Sequence, residues 1–169
     1  MKNKMLVKVL SVAMLVTMLF SFSGCETKKA IEFVNQTTEV MNAIQTENSN
    51  LQTEVLNFNT ALQTDPASVD VSSIISVIEK LEEQYKKLGE IETPKVASDV
   101  KPMFEEASSK ALEAFAIYKE EFSGFDPSIL DDDTAATTFV ERLLEGDALL
   151  EESSKKLTEA GNKLTEIAK

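Results

Sequence analysis

After residue 30, apolar side chains recur at steps of three and four almost to the last residue, and only four prolines and four glycines fall within the pattern. Spacing of this kind puts the apolar residues on one face of a helix, whereas a half-buried strand would alternate every second residue. The first run is Ile31, Val34, Thr38, Met41, Ile44, Asn48, Leu51, Val55, Phe58 and Leu62, closed by Asp65-Pro66 because proline disfavours helix in the residue before it. A second stripe is Val71, Ile74, Ile78, Leu81, Tyr85 and Leu88, with Asp70, Ser72 and Ser73 as capping residues and Gly89 and Pro94 beyond its end. Thr93 and Pro94 read as the start of a third helix carrying Val96, Val100, Phe104, Ala107, Ala111, Phe115, Tyr118 and Phe122. Pro102 interrupts that pattern and predicts either a kink or a true start near Ser98. Gly124, Asp126 and Pro127 break the chain again. Asp131, Asp132, Asp133 and Thr134 then suit the N-terminus of a fourth helix, where carboxylates cap free amides and meet the positive end of the dipole. That helix carries Leu143, Leu150, Leu157 and Leu164 at strict sevens, flanked by Val140, Leu144, Leu149 and Ile167.

Four amphipathic helices joined by short breaks bury their stripes most simply as an all-α, antiparallel up-down-up-down four-helix bundle. The first helix (about residues 28–63) and the fourth (about 133–167) are the long pair. In this topology the end of the fourth helix returns beside the start of the first. Scarce glycine, absent tryptophan and abundant Ala, Leu, Glu, Lys and Gln favour the same class.

The N-terminal stretch has a different design. Lys2 and Lys4 precede an apolar run from Met5 to Phe22, interrupted by Lys8, and small residues Ser21, Ser23 and Gly24 lead to Cys25, the single cysteine. A basic start, an apolar core and small residues before a cut site make an export signal, and the clean apolar run falls short of the ~20 residues a membrane span needs. Phe22-Ser23-Gly24-Cys25 resembles the lipobox of bacterial lipoprotein precursors, with Phe22 where that family most often has leucine. The resemblance covers residues 1–25 only. It implies that residues 1–24 are a cleaved signal peptide, that Cys25 becomes the first mature residue and carries the lipid (a diacylglycerol on its sulfur, with palmitate-type chains), and that the protein sits on the extracytoplasmic face of the cell membrane. Residues 25–30 then form a short tether, and residues 31–169 the bundle. Avoidance of any further cysteine suits an oxidising compartment.

Loss of the leader leaves 14 basic side chains against 29 acidic ones. So negative a body repels polyanions, so nucleic acid is excluded as a partner. Charge also follows the chain. Lys28, Lys29, Lys155, Lys156, Lys163 and Lys169 belong to the end near the anchor, while Asp65, Asp70, Asp126, Asp131, Asp132 and Asp133 fall in the two far connections. Two readings of those lysines stay open: an orienting contact with anionic headgroups, or ordinary pairing with Glu151, Glu152, Glu159 and Glu166 one turn away.

Histidine is absent, which removes Ser-His, Cys-His and His-metal arrangements. The paired carboxylates Glu82-Glu83, Glu105-Glu106, Glu120-Glu121 and Glu151-Glu152 point about 100° apart on a helix and do not converge as a glycosidase pair must. Asp126 with Asp131–Asp133 has oxygen ligands for calcium but lacks the Asp-x-Asp-x-Asp-Gly loop, and capping already accounts for these residues. No cofactor, metal or catalytic residue is expected, and the chain reads as a non-enzyme. Phe104, Phe115, Tyr118 and Phe122 form either core or the wall of an apolar ligand pocket. Asn48 and Asp147 interrupt the seams of the long helices. A polar layer there would fix register, or it would mark a site. The expected function is a lipid-anchored interaction module for a protein or envelope component; the alternative is a binding protein for a small apolar or amphipathic ligand held between the helices. Self-association through the long stripes is also open.

Overall fold

A computed structural model describes residues 27–167, so the leader and Cys25 lie outside the described residues. The chain is all-helical, with α1 Thr27–Thr64, α2 Ser72–Glu90, α3 Lys101–Ser123 and α4 Asp133–Ile167, and no strand among the described residues. Short 3-10 helices occupy the three connections: Pro66–Ser68, Lys95–Val100 and Pro127–Asp131. At 1.5 Å per residue α1 spans about 57 Å and α4 about 52 Å, nearly twice the ~28 Å of α2.

One hydrophobic core runs through all four helices. The stripe expected of α2 is buried as Ile74, Ile78, Leu81, Tyr85 and Leu88, and that of α3 from Val100 to Phe122. Leu143, Leu150, Leu157 and Leu164 of α4 are buried as well.

Two details of the expected pattern are corrected. In the first turns of α1 the buried line is Ala30, Phe33 and Thr37, while Ile31 is 52% exposed and Thr38 lies on the solvent side. The large ring of Phe33 decides that rotation: it packs 6.3 Å from Phe104, centroid to centroid. The third helix begins not at Pro94 but at Lys101, within a turn of Ser98. Residues 95–100 form a 3-10 segment with Ala97 off the helical region (φ −116°, ψ 17°), and α3 starts at Lys101 with Pro102 in its first turn. A ring without an N–H is tolerated only there, where the amide has no helical acceptor. Ala97 and Val100 anchor the segment in the core, and Val96 points out.

The connections are held by their own acids. Asp70 accepts from the Ser72 amide (2.8 Å), Asp126 from the Ser128 amide (2.7 Å), and Asp132 from the Thr134 and Ala135 amides (2.8 and 3.2 Å). Amide donation holds the Asp70 carboxyl below its ordinary range, and hydrogen bonding from Ser128 does the same for Asp126.

Helix α1 packs on α2, α2 on α3 and α3 on α4, whereas the backbones of α1 and α4 stay further apart. Side chains fix which levels meet. Tyr85 packs on Phe115 and Phe58 on Phe122, Lys110 pairs with Glu152, Arg142 with Glu121, and Lys156 with Glu106.

Candidate functional site

The tightest part of the molecule is the α3–α4 seam. Three residues after each heptad position come Gly146, Ser153 and Ala160 of α4, all buried, and α3 buries small residues of its own at Ala107, Ala111 and Ala114. Small side chains on facing helices permit a close approach of the axes. A Cβ on Gly146 would lie 2.5 Å from Cε1 of Tyr118, so the phenol ring lies directly on the bare helix backbone.

From that position the Tyr118 hydroxyl donates to the carboxylate of Asp147. Burial raises the Asp147 carboxyl above its ordinary value, only partly offset by the hydrogen bond from Tyr118. Burial, together with the charge and hydrogen bond of Asp147, raises the phenol as well. The phenol thus keeps its proton and acts as donor, and the carboxylate acts as acceptor. A second buried link lies two turns further on. The Ser153 hydroxyl donates to the Ala107 carbonyl at 2.7 Å and is also the partner of Tyr85, whose phenol burial pushes up to about 12. Ser108 donates to the Tyr85 carbonyl at 2.6 Å, beside Gly89, and ties α3 to α2 in the same way.

The polar residue opposite Asp147 is therefore Tyr118, rather than Asn48, which is half-buried on α1. Asn48 belongs to a different series: Thr37, Asn48 and Asn59 recur every eleven residues, three turns apart, along one line of α1. Thr37 Oγ1 and Asn59 Nδ2 are buried there with no hydrogen-bond partner.

No protein-family model, curated protein or solved structure matches this chain.

Each member of the aromatic row has a neighbour in the core. Phe104 meets Phe33, Phe115 meets Tyr85 at 5.6 Å, and Phe122 lies edge-on to both Phe58 and Phe139. Among the described residues no group of three or more His, Cys, Asp or Glu is gathered as a metal ion would require, and Asp126 and Asp132 direct their carboxylates at backbone amides. Of the adjacent glutamates, Glu82 pairs with Lys119, Glu121 with Arg142 and Glu151 with Lys155. The lysines of α4 are drawn into the same pairing: Lys155 to Glu151, Lys156 to Glu106 and Glu159, and Lys163 to Glu166.

The α3–α4 seam has a signal in the sequence. Gly146, Ser153 and Ala160 recur at sevens, three residues after Leu143, Leu150 and Leu157, whereas the fourth residue after each is Asp147, Ser154 and Gly161. Asp147 was thus found at the edge of the seam, while Gly146, which admits Tyr118, was missed.

Proposed function

We propose that this protein is a lipid-anchored, extracytoplasmic helical bundle that acts as a non-enzymatic interaction module for a protein or another envelope component. The observation that carries the reading is Phe22-Ser23-Gly24-Cys25 at the end of a short apolar run behind Lys2 and Lys4. No helix among the described residues is long and apolar enough to cross a membrane, so Cys25 is the means of attachment in this reading.

An antiparallel up-down-up-down arrangement is the topology we assign. Supporting it, Phe33 and Phe58 of α1 meet Phe104 and Phe122 of α3 in the same order, whereas Gly146, Ser153 and Lys156 of α4 meet Tyr118, Ala107 and Glu106 of α3 in the reverse order. Under this topology the connections around Asp65 and Asp126–Asp132 form the end remote from Cys25. The ring partners of Phe104, Phe115 and Phe122, and the seating of Tyr118 on Gly146, favour recognition through the surface over an apolar ligand between the helices.

Cys25→Ala tests the anchor directly. The wild-type chain partitions with the membrane fraction of its host, and the variant moves to the soluble exported fraction or accumulates with its leader. Membrane association that survives the substitution contradicts the reading.

A further inference from the structure

The contacts that align the helices divide the domain into two halves of very different charge. Gly89 lies against Ser108, Lys110 reaches Glu152 and Phe58 meets Phe122, so a plane across the bundle cuts the chain near residues 46, 86, 110 and 152. The half containing Thr27, here called proximal, holds residues 27–46, 87–110 and 153–167, with nine basic and nine acidic side chains. The distal half, residues 47–86 and 111–152, has nineteen acidic side chains against four basic ones. Of those four, Lys119 and Arg142 are already engaged by Glu79 and Glu82 and by Glu120, Glu121 and Glu145. The proximal half is thus neutral and the distal half carries a formal charge of −15.

We propose that an anionic lipid surface holds this domain upright by repelling its distal half, with no need of a basic foot at the proximal end. This rests on Cys25 as the lipid anchor. The proximal positive charge is balanced: six of its nine lysines, Lys87, Lys101, Lys110, Lys155, Lys156 and Lys163, have glutamate partners, and nine acidic side chains in the same half offset the total that includes Lys28, Lys29 and Lys95. The field of an anionic leaflet decays within a Debye length of about 8 Å, and inside that layer each unit charge changes a population about fivefold. When the domain stands on its proximal end, the distal half begins about 30 Å up α1, at 1.5 Å for each of its first twenty residues, and feels nothing. When it lies flat, one side of the acidic half enters the layer and each unpaired carboxylate there lowers the occupancy of that pose. The neutral half is indifferent to both poses, so charge asymmetry alone sets the orientation and keeps the distal connections exposed.

The test is neutron reflectometry of the processed, full-length lipoprotein at sparse coverage on supported bilayers of phosphatidylcholine, with and without phosphatidylglycerol. On the anionic bilayer the protein layer should approach about 55 Å, the length of the long helices, whereas flat-lying molecules, two helix layers deep, give about 20 Å. The neutral bilayer should show a thinner average layer, and ~1 M salt, where the Debye length is about 3 Å, should bring the anionic bilayer to the same value. Asp65→Asn with Asp131→Asn and Glu141→Gln should thin the layer on anionic lipid, whereas Glu32→Gln with Glu39→Gln and Glu92→Gln should not. Circular dichroism checks that both variants fold. Equal thickness on the two bilayers, or thinning by the proximal set alone, overturns the proposal. Flotation with vesicles reports the anchor separately. If the chain fails to float, coupling Cys25 to a maleimide lipid and repeating the measurement still decides the orientation.

Discussion

Helix α4 and helix α1 are both long and both amphipathic, but they are joined to the rest of the molecule in opposite ways. Against α3, α4 offers Gly146, Ser153 and Ala160, and each polar group in that seam has a partner: Ser153 bonds Ala107 and Tyr85, and Asp147 bonds Tyr118. Helix α1 sends large side chains such as Phe33, Leu51 and Phe58 into the core, lies away from the α4 backbone, and leaves Thr37 Oγ1 and Asn59 Nδ2 buried without partners. Close backbone approach with satisfied hydrogen bonds makes a rigid seam that tolerates little change, whereas a seam made of side-chain tips can shift to absorb it.

Deleting the same volume on each side separates the two seams most strongly. Leu157→Ala in α4 should cost about 4 kcal/mol and Leu51→Ala in α1 about 2–3 kcal/mol, because the second cavity can collapse further. Denaturant unfolding of the two variants checks the order, and equal losses would erase the distinction. Next comes Gly146→Ala. Alanine favours a helix by about 1 kcal/mol over glycine, yet the new methyl must displace the Tyr118 ring, and a net loss of about 2 kcal/mol is expected from the same measurement. A stabilised variant would mean that the ring moves freely and that the seam is not tight.

On the α1 side the sign reverses. Thr37→Val keeps the shape and removes an orphaned hydroxyl, so it should raise stability by about 1 kcal/mol. A loss would show that Thr37 Oγ1 has a partner after all. The smallest effect is expected at Asp147. Its folded carboxyl sits above the ordinary value of 3.8, so the folded state binds a proton more readily than the unfolded one. The group therefore costs stability at neutral pH, and the cost disappears as the pH falls from its raised folded value through 3.8. Asp147→Asn, which still accepts from Tyr118, should melt at or slightly above the wild-type temperature at pH 7, and the difference should vanish near pH 3. A large loss at pH 7 would show that the charge itself is required.

What the sequence disclosed follows from physical range. Helix boundaries at Pro66, Gly124 and Asp133 are local, set by proline sterics and by carboxylates capping nearby amides, and they were legible. So were the buried stripes of α2 from Ile74 to Leu88 and of α3 from Val100 to Phe122. Rotation of the first turns of α1 was not, because Ala30, Phe33 and Thr37 lie on a line adjacent to Ile31, Val34 and Thr38, and only the fit of Phe33 against Phe104 chooses between them. Asp147 reads in the sequence as an interruption of the seam with Asn48 of α1 at its level; the deciding residue is Gly146, whose missing side chain admits Tyr118 from α3. An absence of that kind gains meaning only once a second helix is placed beside it. The pairing of Lys156 with Glu106 likewise needed a neighbouring helix, whereas its pairing with Glu159 one turn away is local.

Both the proposed location and the proposed orientation depend on what happens at Cys25. Intact mass and N-terminal peptide analysis of the protein purified from the membranes of its host address that most directly. The expected product is a chain that has lost residues 1–24 and begins at Cys25, bearing the added mass of a diacylglycerol on sulfur. A chain that retains Met1, or that begins elsewhere with an unmodified Cys25 thiol, would contradict it.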